Sequence, residues 1–284
     1  MHAPRIEKST WILAGVLGVG LFALACRSGS TDGTHDPKLR RTCGAAELFE
    51  LHMATDPDFV LRTEALEKVT QEWIAKFRKS EGEALRTSVT RIPVVVHVLW
   101  KTAGDNISDA QIQSQLDVLS ADYRGSNTDI SAVPGAFQPL IGDSRIEFGL
   151  AVRDPNCNTT TGITRTQVTK SFFTSSLEDA KSTAAGGVAP WPTDRYLNMW
   201  VVPELHNSLG STLLGYSSFP SDPANVRGIV VPHEFFGTTG TVSSPFDLGR
   251  TTSHELGHFF NLRHIWGDDQ DLADTCSLSD FVDD

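Results

Sequence analysis

Apolar residues follow three patterns along the 284-residue chain, and each predicts a different kind of segment. Residues 11–25 form an unbroken apolar run preceded by Arg5 and Lys8. Fifteen residues are short of the ~20 that a helix needs to cross a bilayer, so the run reads as the core of an export signal, residues 1–26. Ala23, Leu24 and Ala25 form a small-residue cleavage pattern, and Cys26 follows it in the position of a bacterial lipoprotein cysteine. Lipidation at Cys26 and simple secretion are two readings of the same signal. Both put the protein outside the cytoplasm, with membrane contact only through a lipid on Cys26. Residues 27–40 are polar, rich in Gly and Ser and without period, as in a flexible linker.

From about residue 43 to 88 the period becomes helical. Asp56 followed by Pro57 forms a cap and first-turn pair, and Leu66, Val69, Trp73 and Phe77 recur at three- and four-residue steps along one face. The stripe predicts a helix that needs a surface to cover it. Near residue 91 the pattern changes again. Residues 92–100 are continuously β-branched and apolar, predicting a buried strand, and His97 inside it reads as a core or sheet-face histidine. A helix is expected over 108–123, capped by Ser108 and facing inward through Ile112, Leu116 and Leu119. Further strands are expected at 145–153, 196–202, 211–218 and 228–232, with an irregular excursion over 170–192. Strand, helix, strands and a late helix indicate an α/β sandwich with a mainly parallel sheet behind its helices.

The late helix carries the chemistry. His254, Glu255, His258 and His264 fall inside the run HELGHFFNLRH. Residues four apart share a helix face, so His254 and His258 can direct imidazole nitrogens at one cation. His264, six residues on, supplies a third nitrogen once the helix has ended. Three protein ligands leave a fourth position open, which is the arrangement of a catalytic rather than a structural zinc site. Glu255, beside the first ligand, can reach a water at that position, where a general base is required. Asn261 stands where the longer HExxHxxGxxH pattern has glycine. That glycine lets the chain leave the helix through a left-handed conformation, and Asn is the next most tolerant residue for it.

The run TTSHELGHFFNLRHIWGDD, with IPVVVHVLW, TTGITRT, LNMWVV, LLGYSSFP and GIVVPHEFFG upstream, resembles the pappalysin family of metzincin metallopeptidases, in its cytophagalysin-like branch. The resemblance runs from about residue 92 to the end. It implies an α/β metzincin-like catalytic domain over 91–284, with a mixed, mainly parallel twisted sheet and an active-site helix, preceded by a helical propeptide-like segment over 41–90. It implies zinc-dependent endoproteolysis of protein or peptide substrates, with His254, His258 and His264 as ligands and Glu255 as general base. By the same resemblance Leu214, Gly215 and Tyr216 lie on an edge strand that holds extended substrate, although an ordinary edge strand would look the same. Metzincins place a methionine-containing turn beneath the metal, downstream of the third histidine. The last methionine here is Met199, so the chain is expected to stop short of that turn and of the family's C-terminal subdomain.

Composition narrows the alternatives. A net charge of −11 argues against nucleic acid as partner. Cys43 is a candidate latency ligand, because a thiolate could occupy the metal's open position; a disulfide to Cys157 or Cys276 is the alternative. The helical segment before residue 91 is either such a removable propeptide or a permanent subdomain. Asp268, Asp269, Asp271 and Asp274 suit Ca2+ or form a solvated acidic face. A monomer is expected. The competing functional class is a non-catalytic zinc-binding surface lipoprotein. A thermolysin-like enzyme would need a downstream glutamate ligand, and none follows Glu255.

Overall fold

The computed structural model describes residues 43–79 and 88–265, together with 280 and 282. The export signal, Cys26, the linker, Cys276 and the acidic positions Asp268, Asp269, Asp271 and Asp274 lie outside the described residues. The elements in chain order are α1 (Ala45–Thr55), α2 (Pro57–Lys79), β1 (Thr90–Trp100), α3 (Asp109–Tyr123), β2 (Ile146–Leu150) and β3 (Ile163–Gln167). There follow β4 (Phe173–Thr174), β5 (Leu197–Val202), β6 (Leu205–His206), β7 (Tyr216–Ser217), β8 (Ile229–Pro232) and α4 (Arg250–Phe259).

β1 is the spine of the sheet. Along one edge it pairs in parallel with β2 through residues 90–94 and with β3 through 96–100, and along the other with β5. β8 continues the sheet in parallel beyond β5, and β7 closes it as the one antiparallel strand of this sheet among the described residues. Alternation along β1 sorts its side chains between two cores. Val94, Val96 and Val98 face a cluster with Ile112, Leu116 and Leu119 of α3 and Leu256 of α4. Leu99 faces the opposite cluster, which contains Trp200, Val230 and Tyr216, and Leu48 of α1 completes it.

Several expectations hold at the level of single residues. The Ser108 side chain accepts from Gln111 N, capping α3 as its position predicts. Asp58 N donates to Asp56 Oδ1 at the start of α2, with Pro57 as first helical residue. His97 is fully buried between Thr164 Oγ1 at 2.8 Å and Asn198 Oδ1 at 3.1 Å, and burial holds its pKa down to about 4.

Two expectations are corrected. The helical period of α2 is real, but its stripe is only partly covered: Leu66 and Phe77 are half-buried, whereas Val69 is 63% and Trp73 62% exposed, and Trp73 stacks on Phe77. The strand expected over 211–218 divides its main chain among three partners. Thr212 and Leu213 bond the β6 region, Gly215 bonds the N-terminal segment, and Tyr216–Ser217 pair with β8. β3 was not anticipated, because four of the five residues of ITRTQ are polar in succession and none is buried.

Two buried glutamines on α3 fix the approach to α4. Gln111 Nε2 donates to the carbonyls of His233 and Phe236, and its Oε1 accepts from Thr241 N. One turn on, Gln115 Nε2 donates to Gly249 O, while its Oε1 accepts from Gly237 N and the Thr252 hydroxyl. Gly249 immediately precedes α4, so Gln115 ties the start of the histidine-bearing helix to the core. Gln115→Leu fills the same space but removes the acceptor of Gly237 N and of the Thr252 hydroxyl. It is expected to cost about 2–4 kcal/mol in urea unfolding; a wild-type midpoint would show that these bonds contribute nothing.

Candidate metal centre

α4 places His254 and His258 on one face, and the way the helix ends brings His264 to them. Asn261 adopts φ 71°, Asn261 N donates to His258 O, and Leu262 N reaches back to Gly257 O at 2.9 Å. These are the two bonds of a Schellman termination with Asn in the left-handed position, so Asn261 performs the reversal that glycine performs in the usual pattern. The same turn sets a tautomer. His258 Nδ1 donates to Leu262 O at 2.8 Å, which leaves Nε2 as a bare lone pair facing the cluster.

The donor atoms converge. His254 Nε2 lies 3.1 Å from His264 Nε2 and 3.2 Å from His258 Nε2. Cys43 Sγ lies 3.4 Å from His258 Nε2, and the ligand atoms of all four residues fall within 4.8 Å of one another. A tetrahedral zinc with ordinary bond lengths needs about 3.3 Å between nitrogens and ~3.5 Å between nitrogen and sulfur. The arrangement fits that ion, and three nitrogens this close fit little else, since their lone pairs repel unless a cation or proton lies between them.

Glu255 is buried beneath this cluster, and its Oε2 is 3.6 Å from the Cys43 thiol. Burial pushes its pKa up to about 8, partly countered by the thiol hydrogen bond. Gly215 packs against it: a Cβ there would lie 3.0 Å from Glu255 Cγ, so the absence of a side chain lets the strand approach the carboxylate. Of the anticipated edge residues, Gly215 therefore meets the centre. Tyr216 turns its ring into the core, where its hydroxyl bonds Glu178, and Leu214 is also buried. His206 ends β6 and His233 begins a short turn beyond β8, both away from the cluster.

Cys43 arrives from the N-terminal segment. It bridges Gly215 in parallel, Gly44 N donates to Gly215 O at 2.9 Å, and Ala45 N donates to Cys43 Sγ. The disulfide alternative with Cys157 is not formed, since Cys157 is exposed in its own loop. The segment is fastened by residues that the sequence did not flag. Phe49 packs edge-on against Phe219 and beneath the Arg263 guanidinium, Glu47 accepts from Ser208, and His52 Nδ1 is 2.7 Å from Asp222 Oδ1. Cys43 was singled out by its chemistry, whereas Glu47, Phe49 and His52 read as ordinary residues of a helical segment, with nothing to say what they touch.

No family model matches the chain. It is similar to mature mirolysin of Tannerella forsythia in complex with a cleaved peptide, with 45% identity, TM-score 0.65, and coverage of 70% of this chain and 72% of that one. A promirolysin variant from the same organism is 41% identical, with TM-score 0.71, covering 86% of this chain and 75% of that one. An extracellular metalloprotease of Arthroderma benhamiae is 23% identical over 245 residues, 84% of this chain and 70% of its own. With this sheet, this helix and these histidines, the molecule is of the metallopeptidase class. The chain belongs to the family that mirolysin represents, the metzincin-type metallopeptidases, and is a zinc-dependent endopeptidase.

His52 supplies a pH dependence. Desolvation lowers its pKa, but hydrogen bonding and attraction to Asp222 and Glu178 together raise it above 6.5. A raised folded-state value means the contact contributes fully below about pH 6.5 and is lost as pH rises through the higher value. Docking of the N-terminal segment should therefore weaken as pH rises across that window, read as a falling melting temperature of the full chain. His52→Gln should flatten that slope; an unchanged slope would remove His52 as its source.

Proposed function

We propose that the chain is an exported zinc endopeptidase held latent by its own segment 41–90, with His254, His258 and His264 as zinc ligands, Glu255 as general base and Cys43 as the blocking ligand. The observation that carries this reading is the convergence of one sulfur and three nitrogens on a single point beside a buried carboxylate. A storage or adhesion site has no need of Glu255. Export is supported by relatives named extracellular metalloproteases and by the signal over residues 1–26; among the described residues no helix is long and apolar enough to cross a membrane. A propeptide is supported by coverage. The promirolysin structure matches 86% of this chain and the mature one 70%, a difference close to the length of 41–90. Lipidation of Cys26, Ca2+ at the acidic residues after His264, and placement in the pappalysin branch belong to the same proposal.

The chemistry divides between ion and protein. When bound, zinc supplies a Lewis acid that polarises the scissile carbonyl and makes water acidic enough to lose a proton near neutral pH. Glu255 takes that proton on its carboxylate and returns it to the leaving amine. Gly215 and its neighbours hold extended peptide through their main chain, the same groups that Gly44 now engages. In the latent chain Cys43 must give up its proton to bind the ion, and Glu255 Oε2 is the acceptor beside it. Latency thus occupies the metal position, the edge-strand carbonyl and the base together.

Three substitutions separate these roles. Glu255→Ala should retain zinc through dialysis while losing peptide hydrolysis by about a thousandfold or more; parallel loss of both would remove it as base. His264→Ala should lose zinc, and full zinc content would strike it from the ligand set. Cys43→Ala in the full chain should show chelator-sensitive hydrolysis without prior cleavage of the segment. Latency equal to wild type would show that the thiol is not the block.

A further inference from the structure

The edge strand beside Glu255 is short. Among the described residues β7 pairs with β8 through Tyr216 and Ser217 alone, and Gly215, just before it, gives its carbonyl to Gly44 of the N-terminal segment. Two ladder positions are fewer than an ordinary strand has to hold its place, and the Gly44 bond is lost when the segment leaves. What fixes the strand comes from behind it. The Tyr216 ring is fully buried, and its hydroxyl donates to Glu178 Oε2 at 2.8 Å. Lys181 Nζ reaches the same oxygen at 2.8 Å, donates to Val226 O at 2.7 Å, and stands 4.5 Å from the centre of the Tyr216 ring.

Both charges come from the irregular excursion over 170–192. Glu178 links two short turns, Ser175–Leu177 and Asp179–Lys181, in a left-handed conformation with φ 49°. A residue with a side chain stays in that conformation only where its surroundings impose it. The excursion is itself fastened: Asp179 accepts from Lys170 Nζ and Thr174 N, and Trp200 Nε1 donates to Val188 O at 2.8 Å. Stability alone does not account for the group. Glu178 Oε1 is buried without a hydrogen-bond partner among the described residues, the Lys181 side chain is wholly out of water, and apolar residues in the place of such a pair are often as stable or more so. Apolar packing would bury the Tyr216 ring equally well, but it has no direction. A hydrogen bond to a fixed carboxylate sets where the ring and its main chain come to rest.

We propose that Glu178 and Lys181 are positioning residues for peptide hydrolysis: through the Tyr216 hydroxyl they hold the edge strand and Gly215 where extended substrate can pair beside Glu255. The inference rests on the reading above of that edge as the place where substrate main chain binds. Neither side chain belongs to the metal cluster, and both act through Tyr216.

The test uses the zinc-loaded full chain, activated by cleavage of its segment 41–90, and two peptides that share one cleavable bond. One is short, and the other is extended by several residues that can pair with the strand. In the wild-type enzyme the extension should lower KM. Tyr216→Phe, which removes only the hydroxyl, should raise KM for the extended peptide about tenfold, the effect of one hydrogen bond, while kcat, the short peptide and zinc content stay near wild type. Tyr216→Phe, Glu178→Met and Lys181→Met together leave no charge stranded. That variant should melt no lower than wild type and still show the raised KM. Wild-type KM for the extended peptide in both variants would overturn the inference while leaving the edge-strand reading intact. Equal losses on the two peptides would also overturn it, since a merely structural group affects every substrate alike. A wild-type enzyme indifferent to peptide length would remove the edge-strand reading and this inference with it.

Discussion

Three imidazole nitrogens, two of them 3.1 and 3.2 Å from the third, are unstable neighbours unless a cation lies between them, and much of the local structure serves to hold them there. The cost is met by geometry fixed before any ion arrives. Helical spacing aligns the first two rings, the Schellman turn at Asn261 returns the chain for the third, and Leu262 O pins the tautomer of the second. At the other end of α4, Gln115 and the paired contacts of Arg250 with Asp122 and Asp129 keep the helix in place against α3. A helix held only by its apolar face could rotate by some degrees without much penalty. Polar anchors at its start do not allow that.

The parallel sheet explains why the carboxylate sits where it does. β5 and β8 are buried on both faces, so their direction is set by packing alone, and β7 must then close the sheet from outside. Closing in antiparallel fashion brings Gly215 over α4, where only a residue without a side chain fits against Glu255. The edge groups left unpaired by β8 are those that Gly44 engages. Burial of Glu255 and exposure of a hydrogen-bonding edge are therefore two consequences of one strand arrangement.

What could be read from the sequence follows from how local each feature is. Ser108, Ile112, Leu116 and Leu119 were legible because a cap and an inward stripe are decided within one helix. The histidine spacing was legible for the same reason, and so was the tolerance of Asn261 for a left-handed turn. Features decided by distant partners were not. The main chain over 211–218 is extended as its pattern suggests, yet three different segments take its hydrogen bonds, and no local pattern encodes that division. The stripe on α2 has the right period, but period cannot say whether a surface lies opposite. Gln111 and Gln115 carried a faint signal, as two amides one turn apart beside an apolar stripe.

The N-terminal segment follows a different logic from the core it covers. A permanent subdomain would gain by burying its whole apolar face. Here α1 is fastened tightly through Ala45, Leu48 and Phe49, whereas α2 leaves Val69 and Trp73 in water. Strong attachment is concentrated where the segment lies over the metal, the edge carbonyl and the Phe219–Asp222 corner. Beyond that the chain gives up apolar burial worth roughly 25 cal/mol per Å2 that a closer fit would have retained. Such an uneven distribution suits a part that has to block a cleft and then come away. Within α2 the attachment is confined to its first turns, where Phe59 is fully buried and Arg62 donates to the Ser221 carbonyl.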